Sequence, residues 1–254
     1  MDTQGINSIE RIQILGVNVD VCKPEELENA VLEILASPGT KQIVFLSIWD
    51  LLKAKKKKTD FAQCINSADL ILPVSKSIIS GAKFLKKNIP VRYNPFDIVI
   101  NILSIMENHG KSLYLLGGMK KSLMKAESNI RETYPELQIV GRYVGYYPKQ
   151  KENDIVQGMF KASPSLVILG DGIKEKNLWP YNRRNSFSSS IFLYYKESIG
   201  IFSERIKRVG EKTFEKGHEI FWEIAHNPLK IFLVFPYIRY IILLVWYRLF
   251  KKKS

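Results

Sequence analysis

The sequence is poor in the residues that staple or metallate a small protein. Among 254 residues there are two cysteines, Cys22 and Cys64, and three histidines, His109, His218 and His226. Two cysteines make neither a disulfide framework nor a zinc site, so reduced, half-buried thiols are expected. The histidines show no metal-ligand spacing and no nearby acid pair, and no metal is assigned. Neither G-x-G-x-x-G nor the P-loop pattern is present, which weakens dinucleotide and NTPase readings. The N-terminal MDTQGINSIERIQ lacks the basic and apolar stretches of a signal peptide. A cytoplasmic protein is expected, meeting any membrane from its inner face.

Acidic side chains are also scarce, 25 against 38 Lys and Arg, for a net charge of +13. That balance favours partners carrying phosphate. Residues 201–254 hold eleven Lys/Arg and five Glu, or +6, and are also the most apolar region. A basic and apolar tail suits an anionic membrane surface, and no nucleic-acid partner is expected. The remaining composition, 46% apolar and 25% charged, is that of a folded chain and excludes a disordered one.

Along the chain, RIQILGVNVDV (11–21) alternates and predicts a strand or short hairpin. Pro24 to Leu35 predicts a helix with proline in its first turn. IVFLSI (43–48) predicts a buried strand, followed by a helical, very basic LLKAKKKKTDFAQCIN, whose run Lys55–Lys58 is a solvated helix face. LILPV (70–74) is a further apolar run. SLYLLGG (112–118) is a strand ending in a glycine pair, 119–135 an amphipathic helix, and 137–147 the next strand. LVILGDG (166–172) repeats the strand-to-glycine pattern, and SSSIFLYY (188–195) is another strand. This alternation predicts an α/β domain over 1–195, with a mostly parallel, Rossmann-like sheet and helices on both faces. A helical appendage follows over 196–254, entered by a charged amphipathic helix from about Ser203. Ligands of such sheets sit outside the carboxyl ends of the strands. Loops 73–76, 94–97, 117–119, 145–148 and 170–177 are therefore expected to build the site. In them, Gly117–Gly118 and Gly170–Asp171–Gly172 suit either phosphate contact through backbone N–H groups or plain tight turns.

From Leu229 to Phe250 the chain is interrupted only by Lys230, Pro236, Arg239 and Arg248. A helix of that length would reach about 33 Å. Arg239 near its middle and a kink at Pro236 favour two short interfacial helices over a span. Trp246, Tyr237, Tyr240 and Tyr247 suit the headgroup level, and Arg239, Arg248 and Lys251, Lys252 and Lys253 suit anionic lipid. The alternative is a buried helix that completes the core or an oligomer contact.

Taken in order, these segments resemble the WecG/TagA/CpsF glycosyltransferase family almost end to end. ILGVNVDV (14–21), SADLILP (67–73), LYLLGG (113–118), YPELQIVGRYVGYY (134–147), LVILGDGIKEKNLW (166–179) and the ERIKRVG, KGHEIFW and HNPLK stretches of 204–230 carry the likeness. The resemblance implies transfer of a sugar, often of N-acetylhexosamine type, from a UDP-sugar donor to a polyprenyl-diphosphate-linked acceptor. It also implies a metal-independent, inverting mechanism with no cofactor, and peripheral membrane association. Through it Gly117, Gly118, Gly145, Gly170, Asp171, Gly172 and Trp179 become nucleotide-sugar candidates. Lys207 and Arg208 become candidates for the diphosphate or acceptor, or else solvated charges on a helix.

The departures fall on the chemistry. The family's L-P-D-G loop is Leu72–Pro73–Val74–Ser75 here, so an apolar side chain stands where the candidate base would be. T-x-N becomes Phe45–Leu46–Ser47, and P-K-Q-E becomes Lys174–Glu175–Lys176–Asn177. Gly200 and Glu223 replace an Asp and an Arg, whereas Arg208 and Glu219 are kept. Asp97, kept in Pro95–Phe96–Asp97, is the candidate catalytic base, with Asp171 as a candidate helper; its other reading is a helix N-cap. Two functional readings follow: a divergent transferase, or an inactive relative that serves as a membrane-bound scaffold for another polysaccharide enzyme; the protein partner expected is another glycosyltransferase or a second copy of the chain.

Overall fold

An antiparallel hairpin opens the fold. The computed structural model describes residues 9–56, 58–208, 210, 214 and 234–250. In it β1 (Glu10–Ile14) turns through Leu15 and Gly16 into β2 (Val17–Val21). Both turn residues have positive φ, +53° and +82°, which a two-residue hairpin turn of this hand requires. Arg11 grips Asp20 through Nε (2.6 Å) and Nη2 (2.9 Å), and Asp20 Oδ2 accepts the Ile71 N–H at 2.7 Å. Ile71 lies on an edge strand of the main sheet, so the hairpin satisfies a donor that the edge would leave open.

That sheet comprises β3 (Gly39–Leu46), β4 (Leu70–Pro73), β5 (Ser112–Leu116), β6 (Gln138–Tyr143), β7 (Leu166–Leu169) and β8 (Ser189–Tyr194). Every pairing in it is parallel, in the order β4-β3-β8-β7-β5-β6, as the strand–helix alternation predicts. Successive side chains go to opposite faces. Ile43 and Phe45 join one core with α1 (Leu27–Ala36), α5 (Pro95–Asn108) and α6 (Lys120–Thr133). Val44 and Leu46 join another with α2 (Ile48–Ala54), α3 (Asp60–Asn66) and α4 (Lys76–Phe84). At the far side, Tyr114, Val167 and Phe192 pack on α7 (Glu152–Ala162) and α8 (Leu178–Asn182). The short α9 (Ser198–Phe202) packs on α6, with Ile199 fully buried.

Several local expectations are corrected. Lys55, Lys56 and Lys58 do not form a helix face: α2 stops at Ala54, and α3 starts after Thr59, whose Oγ1 caps it by accepting the Ala62 N–H. Residues 203–208 form turns, bends and irregular chain where a charged helix was expected to begin; apart from residues 210 and 214, the segment from 209 to 233 lies outside the described residues. Both cysteines are fully buried, not half-buried. The described part of the tail is one continuous helix, α10 (Val234–Phe250), with no kink at Pro236, which falls in its first turn, where proline costs no hydrogen bond.

α10 docks one face on the body. Tyr240 and Leu244 are buried among Ile78, Ala82 and their neighbours, and the Tyr240 hydroxyl donates to the Ser77 carbonyl at 3.0 Å. Arg248 lies over the Phe84 ring. The opposite face leaves Phe235, Ile238, Ile242, Trp246, Leu249 and Phe250 exposed. Among the described residues, no helix is long and apolar enough to cross a membrane.

Candidate active site

At the carboxyl ends of β5, β6 and β7, three loops are laced backbone to backbone. The Gly117 N–H donates to Tyr143 O (3.0 Å) and the Gly170 N–H to Leu116 O (2.8 Å). The Gly118 N–H donates to Asp171 O (2.8 Å) and the Gly145 N–H to Gly118 O (2.9 Å). A Cβ on Gly117 would lie 2.6 Å from the Gly170 Cα, and one on Gly145 would strike the Asp171 carbonyl. The glycines singled out in the sequence therefore do converge. Their effect is to let three chains touch, and four of their N–H groups are taken by carbonyls rather than held open for phosphate.

Asp171 is the polar centre of this knot. It is 8% exposed; its Oδ2 accepts from Tyr146 Oη (3.2 Å) and Arg205 Nη2 (3.3 Å). The Asp171 charge pushes the Tyr146 phenol above its ordinary pKa. Its Oδ1 is buried without a hydrogen-bond partner in the protein, and so is the nearby Ser198 Oγ. Buried polar atoms normally find partners, so two orphans here fit a polar ligand at the strand ends.

The β3 end supplies a second acid. Ser47 caps α2, accepting the Asp50 N–H (3.2 Å) while its Oγ donates to Asp50 Oδ2 (2.6 Å). This loop is tied to the one after β4 by Val74 N–H to Leu46 O and Ile48 N–H to Ser75 Oγ, each 3.1 Å. Burial raises the Asp50 pKa; the hydrogen bonds from Ser47 and the charges of Lys176 and Lys53 pull only part of the way back. Lys176 sits in the 170–177 loop with φ +53°, an unusual left-handed conformation for lysine. Tyr194, at the end of β8 between the two acids, has its phenol pushed up to about 12 by burial and then by the charges of Asp171 and Asp50. Asp50, Tyr194, Asp171 and Tyr146 thus share one electrostatic neighbourhood across the sheet's upper edge.

Asp97 stands apart from this cluster in its bonding. The cap of α5 is Asn94, whose side chain accepts the Phe96 N–H at 3.2 Å; Asp97 lies one turn in, paired with Arg208 Nη2. The N-cap reading of Asp97 is therefore corrected. The Arg208 guanidinium, also near the Phe96 ring, brings the segment after α9 back onto α5. Lys207 beside it is exposed. Trp179 is 1% exposed, packed on Phe187 and Phe192, with its Nε1–H donating to Tyr147 Oη at 2.8 Å. No face of that ring is free for a sugar or a base. A cavity of about 230 Å³ lined by Thr40, Gln42, Asp69, Tyr181 and Arg184 opens at the amino end of β3, opposite the site. In the tail, Arg239 and Trp246 are exposed and Arg248 is half-buried; Lys251, Lys252 and Lys253 lie outside the described residues.

Sequence reading missed Asp50, Tyr146, Tyr194 and Arg205. The signal for the first was legible: Ser47-x-x-Asp50 directly after a buried strand is a helix-start pattern that puts an acid at a strand's carboxyl end.

A model of the glycosyl transferase WecG/TagA/CpsF family matches residues 12–254. The chain belongs to this family. A Bacillus subtilis (strain 168) relative, named N-acetylglucosaminyldiphosphoundecaprenol N-acetyl-beta-D-mannosaminyltransferase, is 22% identical over 229 residues, covering 90% of this chain and 85% of that protein. A Staphylococcus aureus (strain NCTC 8325 / PS 47) protein of the same name is 18% identical over 209 residues, 82% of each chain. The WecG/TagA/CpsF match spans the sheet, its glycine-laced loops and the tail alike, so all three belong to a glycosyl transferase scaffold.

Proposed function

We propose that this family member transfers an N-acetylhexosamine, of the N-acetylmannosamine class, from a UDP-sugar to polyprenyl-diphosphate-linked N-acetylglucosamine in cell-surface polysaccharide synthesis. The observation that carries this reading is the family match over residues 12–254, with relatives named for that acceptor and that sugar. The site supports it. The reaction needs a proton acceptor for the sugar hydroxyl and cations or N–H donors for the departing diphosphate. Lys176 acts on Asp50, Arg205 bonds Asp171 and Arg208 pairs with Asp97, with the exposed Lys207 next to Arg208 in the chain. The orphaned Asp171 Oδ1 and Ser198 Oγ give a sugar hydroxyl two partners. Gly117, Gly118, Gly145, Gly170 and Gly172 shape the donor pocket, and Asp97 holds Arg208 at its mouth. The inactive-scaffold alternative gains no observation of its own, since both relatives are named as transferases.

The chain works on the inner membrane surface without crossing it. The outward face of α10 sinks into the interface, while Tyr240 and Leu244 keep the helix on the body. Each cation near an anionic surface adds about 1 kcal/mol. The test is UDP release from a panel of UDP-N-acetylhexosamines with undecaprenyl-diphosphate-linked N-acetylglucosamine in anionic vesicles. Turnover with UDP-N-acetylmannosamine above the other donors is expected; UDP release from none of them overturns the reading.

A further inference from the structure

We propose that Asp50 is the general base of this transferase, taking the proton of the acceptor hydroxyl in place of the Asp97 that the sequence suggests. The assignment rests on the transferase reading above. It begins from the acids at the sheet's carboxyl end. Asp97 is clamped by the Arg208 guanidinium. Asp171 already accepts from Tyr146 and Arg205 through one oxygen. Glu197 accepts from the Tyr195 hydroxyl at 3.2 Å, and Arg183 holds Glu175 below its ordinary pKa. Asp50 differs from all of these. Among the described residues only Ser47 hydrogen-bonds its carboxylate, and no guanidinium or ammonium forms an ion pair with it.

Its position is as telling as its bonding. The Ser47–Asp50 turn runs beside Val74–Ser75, joined by the Val74 N–H to Leu46 O bond and the Ile48 N–H to Ser75 Oγ bond. The apolar Val74 cannot accept a proton, and the neighbouring loop carries an acid one strand over. The groups facing Asp50 are Lys53 from its own helix, Lys176 from the loop after β7 and Tyr194 from the end of β8. Burial outweighs these cations and leaves the carboxylate with a raised proton affinity, which suits a base working near neutral pH.

In the step, the acceptor hydroxyl oxygen attacks the anomeric carbon on the face opposite the nucleotide. The new C–O bond forms as the bond from that carbon to the β-phosphate oxygen breaks, its electron pair leaving on UDP. The hydroxyl proton passes to an Asp50 carboxylate oxygen. Lys176, close enough to act on Asp50, is placed to meet the growing charge on the diphosphate.

The experiment uses the full chain on anionic vesicles with the lipid-linked acceptor and UDP-N-acetylhexosamine panel. Asp50→Asn is expected to lower kcat by about a hundredfold or more, with KM for the donor and UDP affinity by calorimetry within about twofold. A wild-type kcat with Asp50→Asn overturns the assignment. A second measurement needs no variant: the acid limb of the wild-type kcat/KM profile should fall above the ordinary aspartate value of about 3.9. A limb at the ordinary value also overturns it. UDP release from no donor by the wild type overturns the transferase reading instead, and this assignment with it.

Discussion

Tyr240 of the tail helix lies directly over Gly81 of α4, close enough that a Cβ there would run into its hydroxyl. The same hydroxyl donates to Ser77 O at 3.0 Å, so a glycine and a tyrosine 159 residues apart form the seat of α10. Gly81→Val should unseat the helix and destabilise the protein by about 1–3 kcal/mol. Tyr240→Phe, which keeps the ring and loses the hydrogen bond, should lose about 1 kcal/mol. Thermal melts and limited proteolysis of the tail check both.

The outward face of α10 predicts the opposite pattern. Trp246 and Leu249 are 51% and 69% exposed. Trp246→Glu with Leu249→Glu should leave Tm nearly unchanged, yet reduce sedimentation with anionic vesicles several-fold. Wild-type protein should be released by high salt or carbonate without detergent.

Gly145 and Gly158 make a matched pair. A Cβ on Gly145 strikes the Asp171 carbonyl, whereas one on Gly158, inside α7, meets nothing within 4 Å. Gly145→Ala should lower Tm and cut activity, because the three loops can no longer close. Gly158→Ala should raise stability by about 0.5–1 kcal/mol through helix propensity alone. Calorimetry separates the two directions.

Burial pushes both the Cys22 and Cys64 thiols up to about 12. Neither should react with a thiol-specific disulfide reagent at pH 8 in the folded protein, since the thiolate is the nucleophile. Both should react once guanidinium unfolds the chain.

Asp50 also links stability to pH. Its pKa is raised by folding, so the stability it contributes is present below its unfolded pKa and is lost as pH rises through the folded value. Above that window Asp50→Asn, which removes the buried charge and keeps an oxygen for Ser47, should melt at a higher temperature than wild type. Below the unfolded pKa the difference should shrink. A more stable but slower variant is expected if Asp50 is the base, its charge being kept at a cost to stability.

The sheet was legible in the sequence because its strands are short, apolar and followed by glycine or proline at the right spacing. Leu113–Leu116 and Leu166–Leu169 declare themselves. The helix ends were harder. Thr59 falls inside the stretch 51–66 that the sequence predicts as one basic helix, but its Oγ1 accepts the Ala62 N–H and caps a separate helix there. The tail's apolar run predicts two short interfacial helices, and nothing local announces that Tyr240 has a glycine-floored seat on α4. The site divides the same way. Its glycines could be picked from their strand ends, but the pairing of Asp97 with Arg208 joins residues 111 apart. Asp50 was hidden because its distinction lies in its neighbours, the Val74–Ser75 loop, Lys176 and Tyr194, which come together only in the folded sheet.

The strand order has a consequence for how the chain is made. β8 lies between β3 and β7, pairing Gly39 with Ser189 and Leu169 with Tyr194. Until it arrives, β3–β4 and β5–β6–β7 are two separate ribbons, each with an open apolar edge. A ribosome must therefore release the chain past residue 194, and about the tunnel's length beyond, before the sheet can close. Pairings this distant fold slowly. The nascent protein would spend that interval as two unfinished halves, a natural client for a chaperone.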